Sequence, residues 1–306
     1  MAKNYEYYIP GFAKSAWQLV REDDIHPGLA MYRFFEKNKK DESLNRITKL
    51  VPDRTGLILA VRRQEDQLLS LKQKGYEVLK WTQTSDTRLV CGLGIPSLAE
   101  NGLLMDRVWG FPYIPGSALK GIAQDQALME LTGDYCDGNK RRDAKRLSKN
   151  FIACFGAQGA EHGHRLDIYW EALKGQVIFM NAFMDPNTGK PFEIDVVNQH
   201  YRDYYLKKGT QPPADYLSPN PNFFIVLKDN IKFHFAVAAR NVNLNIKDKE
   251  GESLEIDCEA KSLCYLVANW LQTAAIGIGI GGKTRVGYGY FKDDINYVDL
   301  NGGDCS

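Results

Sequence analysis

Residues 277–291 read GIGIGGKTRVGYGYF. The first eight satisfy the phosphate-loop pattern G-x-x-x-x-G-K-[ST] at Gly277, Gly282, Lys283 and Thr284. In a nucleoside triphosphatase that loop follows a strand and opens a helix, whose N-terminal amides and dipole hold the β-phosphate. Here the flanking periods run the other way. Upstream, Leu263, Val267, Trp270, Leu271 and Ala274 share one helical face and predict a helix over 259–275. Downstream, Val286, Tyr288 and Tyr290 alternate and predict a strand over 285–291. Gly287 and Gly289 would each cost a helix about 1 kcal/mol relative to Ala. The chain also ends at residue 306, too soon after Thr284 for a parallel sheet and a magnesium-binding aspartate. The order helix, glycine loop, strand excludes the triphosphatase.

A tight turn alone would explain some of these glycines. It does not call for six of them, nor for Lys283 and Arg285 alongside. Clustered glycines let backbone N–H groups approach a ligand, and flanking cations indicate an anion. Polymeric phosphate, as in an RNA backbone, fits without a metal or a base. Gly281, Gly282, Lys283, Thr284, Arg285 and Tyr288 are therefore candidate RNA contacts. Gly282 is where a β-carbon is expected to oppose a positive φ and block backbone approach.

The rest of the composition is ordinary. Of 306 residues 44% are hydrophobic and 25% charged, with a net charge of +1. Nucleic-acid binding would then rest on local basic patches, not on a global field. The six cysteines (91, 136, 154, 258, 264, 305) show no C-x-x-C pair, which suits reduced thiols and a cytoplasmic location. No apolar run is long enough to span a bilayer, and the N-terminus lacks the apolar core of a signal peptide. No fixed-period repeat is visible.

Along the chain, helices are expected near 29–39 and 64–74, the second ending at Gly75. Residues 77–92 read as a long strand or hairpin arm, and 177–184 as a strand. Pro112 and Pro115 exclude helix up to Gly116; Ser117 can then cap a helix whose stripe is Leu119, Ile122, Ala123, Ala127 and Leu131, closed by Gly133. Residues 185–222 are polar and rich in Pro and Tyr, and read as an insertion or mobile loop. Residues 223–228 and 231–239 read as a hairpin turning at Asp229-Asn230.

Helix starts favour Asp or Glu because the amide dipole is positive there. The helix after Pro115 instead carries Lys120, with no acid before Asp125. Free first-turn amides with a nearby lysine suit a phosphate, which makes Gly116, Ser117 and Lys120 a second candidate set; a solvated lysine is the plain alternative. His200, Tyr201, Tyr204 and Tyr205 cluster in the 185–222 insertion. They either stack unpaired bases or pack the loop against the core. Lys140, Arg141 and Arg142 open a run of six cations to one acid, either a solvated loop or a patch that tracks a backbone. His162 and His164 lack a third ligand, so no metal or other cofactor is expected. His234 falls on the polar face of its strand and is expected to be solvated.

Taken together, the glycine-rich GIGIGGKTRVGYGYF and YIPGSALKG (113–121) resemble the two hallmarks of the RAMP proteins of CRISPR systems, in the expected order. HPGLAMYRFF (26–35) and DVVNQHYRDYY (195–205) resemble, more narrowly, the sixth RAMP subunits of Cmr (type III-B) effector complexes. The resemblance implies an α+β fold with a ferredoxin-like (RRM-like) core whose sheet, helix starts and glycine loop face RNA. It implies one RAMP domain over 1–306: a helical N-terminal extension over 1–75, then the core over 76–306 with insertions near 134–170 and 185–222. It further implies a non-enzymatic subunit that caps a filament near the 3′ end of a guide RNA. Its partners would be guide and target RNA, the backbone RAMP subunit, the small helical subunit and the first RAMP subunit. The target-cutting backbone RAMP carries an aspartate after its first core strand; the corresponding stretch here, 92–103, has Glu100 and no aspartate. The competing class is a metal-independent RAMP endoribonuclease that processes guide RNA. It would use His200 with Lys207 or Lys208 in acid–base and phosphorane-stabilising roles.

Overall fold

The computed structural model describes residues 25–33, 40–97, 101–133, 149–157, 173–199, 220–247 and 253–300. The chain forms two compact units, one built from 55–89, 113–187 and 229–306, the other from 1–54, 90–112 and 188–228.

The larger unit is organised by β-branched and aromatic segments that pair antiparallel. Strand β1 (Glu77–Thr84) lies beside β9 (Lys232–Ala239) along its whole length, Glu77 opposite Ala239 and Thr84 opposite Lys232. On its far side β1 meets the short β12 (Asn296–Tyr297). On the other side β9 pairs with β5 (Val177–Phe179) and β6 (Ala182–Met184), and β6 pairs with β2 (Tyr113–Ile114). Helix α4 (Gly116–Thr132) falls between β1 and β5; helix α6 (Ala260–Gly277) falls between β9 and β12. With β5 and β6 taken as one bent strand, the chain order is βαββαβ and the sheet order is fourth, first, third, second. That is the ferredoxin-like core expected from the sequence.

The bend is a β-bulge. Phe179 stands opposite Val237 and Phe183 opposite His234, so four steps on one strand match three on the other. The extra residue falls at Met180-Asn181, which splits the single strand expected over 177–184.

Side chains alternate across the sheet. Trp81 stacks on Phe235, and Phe233 and Phe235 meet the edge of Phe291. On the same face Phe179 stacks on Phe155, which stacks on Trp270 of α6. Trp270 Nε1 donates to Glu130 of α4 at 2.7 Å. Both core helices therefore cover this face. The opposite face carries Lys80 and His234. There helix α3 (Arg54–Gln73) is fastened by the Lys80–Glu65 pair at 2.6 Å and by Gln64 Nε2, which donates to the Asn181 carbonyl at 2.7 Å. The part of the sheet that α3 covers is closed to bases, a departure from the open RNA-facing sheet implied by the resemblance.

In the smaller unit, helices α1 (Pro27–Tyr32) and α2 (Lys40–Lys49) accompany a two-stranded ribbon of β7 (Phe192–Gln199) and β8 (Asn220–Leu227). Tyr32 donates its hydroxyl proton to the Leu103 carbonyl and accepts from the Leu103 amide. His26 caps α1: its Nδ1 accepts from the Leu29 amide at 3.2 Å and its Nε2 faces the Val108 carbonyl at 3.0 Å.

Several expectations are corrected here. Residues 220–227 do not fold back on 231–239; β8 pairs with β7, Phe192 opposite Leu227. Residues 192–199, expected in a loop, are strand. Asn230 does form a turn, at φ 57°, held by its amide and that of Ile231 on Ser85. Strand β1 stops at Thr84, because the Asp86 and Thr87 amides turn onto the Tyr290 carbonyl. The strand expected over 285–291 is replaced by a 3-10 turn (Thr284–Val286) and one bridge, Phe291 to Ser85. The expected N-terminal helices are present but shifted, α1 ending earlier and α3 beginning ten residues sooner. Helix α2, helix α5 (Lys149–Phe155), the short β3–β4 pair (Gly156–Ala157, Leu173–Lys174) and the β10–β11 hairpin (Val242–Lys247, Ser253–Cys258) were not anticipated. Among the described residues no helix is long and apolar enough to cross a membrane.

Candidate nucleic-acid interface

Helix α4 begins as the prolines require. Pro115, extended at φ −70° and ψ 142°, is the N-cap, and no side chain caps the helix; Ser117 lies inside the first turn and is exposed. The Gly116 amide donates to Asn181 Oδ1 at 2.9 Å, and the Ala118 and Leu119 amides donate to the Pro115 carbonyl. The Ser117 amide alone remains open in the first turn, among the described residues. So the start is a narrower anion site than four free amides would make. Gly116 also has a packing role: a β-carbon there would lie 2.2 Å from the Phe179 carbonyl oxygen. No acid stands in the first turn, and Lys120 is half-buried there without an ion-pair partner among the described residues.

The glycine loop is an excursion with a closed neck and an open tip. Gly277, the residue that completes the phosphate-loop pattern, is the last residue of α6. The Ile278 and Gly279 amides both return to the Ala274 carbonyl. At the neck the Ile280 amide donates to Gly289 at 2.8 Å, and the Gly289 amide donates to Arg88 at 2.7 Å. At the tip the Val286, Gly287 and Tyr288 amides fold back onto Lys283 and Thr284. The Gly281, Gly282, Thr284 and Arg285 amides make no hydrogen bond among the described residues. Positive φ falls on Gly281 (94°) and on Lys283 (60°), and not on Gly282 as expected. A lysine in the left-handed region is strained by about 1–2 kcal/mol. Strain of that kind gathers where a ligand clamp fixes the backbone. Arg285 and Val286 are exposed, and Tyr288 is half-buried. Open amides beside a left-handed residue and two cations are the ingredients from which an oxyanion nest is built.

Both features belong to the larger unit. The loop hangs from the turn after β1, opposite Lys232, and the helix start hangs from the bulge opposite Ala236, two strand spacings (about 10 Å) across and about 13 Å along β9. Lys140, Arg141, Arg142, His200, Tyr201, Tyr204 and Tyr205 lie outside the described residues, as do Glu100, His162, His164, Lys207 and Lys208. Among the described residues no cluster of His, Cys, Asp and Glu could hold a metal ion.

Sequence reading missed Asn181, because a bulge has no local signature beyond its register. It also misplaced His234, which is not simply solvated. Its Nε2 lies 3.4 Å from Asp185 Oδ2. Burial first, with Lys80 adding to it, holds the imidazole below its usual pKa against the pull of Asp185. For Asp185, burial raises the carboxyl, but the Asn187 amide and His234 outweigh it and hold it low. The folded chain thus resists protonation at His234. As pH falls below the unfolded imidazole value of about 6.5, the unfolded chain gains a proton that the folded chain refuses, and stability falls. Between about pH 7 and about pH 5.5 the thermal midpoint should drop more in the wild type than in His234→Gln. Equal drops in a melting series across that range would show that His234 is not the group responsible.

Comparison with known proteins places this geometry in a family. Residues 84–292 match the RAMP superfamily. The chain is 30% identical over 239 residues to the CRISPR system Cmr subunit Cmr6 of Pyrococcus furiosus, covering 67% of this chain and 65% of that protein. It is 21% identical over 225 residues to the Cmr6 subunit of Saccharolobus solfataricus, covering 72% and 60%. The matched region thus spans just under two thirds of these relatives' length. Among solved structures, the fold resembles a chain of the type III-B Cmr-beta complex bound to cognate target RNA. There the TM-score is 0.55 and the identity 20%, over 85% of this chain and 73% of that one. With both hallmark segments now seen on the first core helix and the loop after the second, the chain belongs to the RAMP superfamily.

Proposed function

We propose that the chain is a non-catalytic, RNA-binding subunit of a type III-B (Cmr) RNA-guided complex, capping its filament at the 3′ end of the guide RNA. The observation that carries this reading is the match to proteins named Cmr6, joined to a loop whose open amides and cations suit a phosphate backbone. Guide and target RNA would be its nucleic-acid partners. The backbone RAMP subunit, the small helical subunit and the first RAMP subunit would be its protein partners. Among the described residues the histidines are His26 and His234, both held by structural partners; His200, on which the nuclease reading rests, lies outside them.

Binding should show little sequence preference and a linear fall of log affinity with log salt, because phosphate contacts release counterions. Lys120→Ala and Arg285→Ala should each cost about 1 kcal/mol or more, the scale of a charge-assisted hydrogen bond, and lower the salt slope by about one unit. Fluorescence anisotropy with a guide-like RNA over a salt series reads both. Binding indifferent to salt, with both variants like the wild type, would refute the reading. Incubation with repeat RNA in EDTA should leave the RNA intact; cleavage would favour the processing nuclease.

A further inference from the structure

Helix α3 presents two adjoining stripes. One, with Gln64 and Leu68 buried, is fastened to the sheet. The other borders an open groove lined by Arg63, Asp66, Gln67, Ser70, Leu71 and Met180. Arg63, Gln67 and Ser70–Leu71 follow at helical spacing and stand on one side of α3. The opposite wall is Met180, pushed out by the bulge that opens β5 from β6. All of these residues belong to the larger unit.

The groove is joined to the start of α4 through one residue. Asn181 accepts the Gly116 amide on its side chain and the Gln64 amide on its backbone carbonyl. A β-carbon on Gly116 would lie 3.1 Å from the Met180 carbonyl oxygen. The wall of the groove and the open amide of Ser117 are therefore neighbours on a framework fixed by two hydrogen bonds. Arg63, Gln67 and Ser70 are exposed, and no bond within the described residues occupies their polar groups.

From this continuity we infer that the α3–Met180 groove is a further RNA subsite, which takes the nucleotides next to the phosphate at the start of α4. The inference rests on the RNA-binding reading above. Its chemistry matches a nucleotide group by group. Arg63 supplies a cation for the phosphate. Asp66, Gln67 and Ser70 offer acceptors and donors for ribose hydroxyls and base edges. Leu71 and Met180 give an apolar surface for a base ring, Met with the adaptable packing of its thioether. From Arg63 to Leu71 the helix rises ~12 Å, room for a short run of extended strand.

The test uses the full chain and a short oligouridine carrying 4-thiouridine, with ultraviolet crosslinking and tryptic digestion. Cleavage after Arg63 and Lys72 releases Gln64–Lys72 as one peptide. Crosslinks to that peptide or to the one containing Met180 are expected. Arg63→Ala should weaken binding about fivefold and lower the salt slope by about one unit. Gln67→Ala should weaken binding and leave the slope unchanged. Both substitutions are on the surface, so melting should stay within the wild-type range. Crosslinks confined to the Lys120 and Gly281–Tyr288 regions, with Arg63→Ala binding normally, would overturn the subsite and leave the proposed function standing. Normal RNA binding with lost co-purification of partner subunits would also overturn it, by making the groove a protein-docking face. A wild-type chain that binds no RNA would overturn both readings.

Discussion

Gly289→Ala is expected to destabilise the larger unit by about 3 kcal/mol, while Gly277→Ala in the same glycine-rich stretch stabilises it by about 0.5–1 kcal/mol. The two glycines look alike in the sequence and differ in what surrounds them. Gly289 has φ +78°, and a β-carbon there would sit 2.0 Å from the Ile280 carbonyl oxygen. The obstacle is backbone, which cannot rotate away. The neck bonds from Ile280 to Gly289 and from Gly289 to Arg88 would have to separate to admit a methyl group. A left-handed residue with a β-carbon adds about 1–2 kcal/mol of its own. Gly277 is exposed, helical, and has nothing within 4 Å of its β-carbon position. An alanine there removes unfolded-state freedom at no steric cost. Urea denaturation of the two variants reads both signs. A Gly289→Ala protein as stable as the wild type would mean that the neck is not closed as described.

That contrast also marks how far the sequence could be read. The helix before the glycine loop was legible from the period of 3.6 upstream of 277, and the absence of a helix period after the loop was enough to reject the triphosphatase. The helix stripe Leu263, Val267, Trp270, Leu271, Ala274 is buried as expected. Gly133 takes the left-handed C-cap of α4 at φ 61°. What failed did so for tertiary reasons. Helix α3 was expected to start too late, because its buried stripe includes Gln64, a polar residue that satisfies the Asn181 carbonyl and so breaks the apolar pattern. Residues 223–228 carry a strand pattern that any partner could complete, and the chain completes it with 192–199, across an insertion, in place of the nearest strand. Tyr288 and Tyr290 alternate like strand residues, yet Gly287 and Gly289 at φ 96° and 78° spend that stretch on a turn. The positive φ assigned to Gly282 belongs to its neighbours, a distinction that depends on ψ values no residue type encodes. Asn181 was invisible because its role comes from one extra residue in a register.

Asn181→Asp is expected to separate folding from binding: the protein should melt no lower than the wild type, and RNA should bind about tenfold more weakly. A carboxylate can still accept the Gly116 amide that Asn181 Oδ1 now accepts at 2.9 Å. Placed at the first turn of α4, its charge opposes the positive end of the helix dipole and stabilises by about 0.3–1 kcal/mol. Asn181 is exposed, so the charge needs little desolvation. The same charge would face any phosphate held by the Ser117 amide and Lys120. A like charge several ångströms away, at an effective dielectric near 20, opposes binding by about 1–3 kcal/mol before screening. Asn181→Ala is the control. It loses the acceptor, costs about 1 kcal/mol of stability, and places no charge near the RNA, so its affinity should change far less. A helix start that only packs against the bulge predicts the reverse ranking, with Ala the damaging change and Asp silent in every assay. Anisotropy and melting on the two variants decide it. If Asn181→Asp binds RNA as tightly as the wild type at low salt, no phosphate sits at the start of α4, and the RNA path must be drawn from the glycine loop alone.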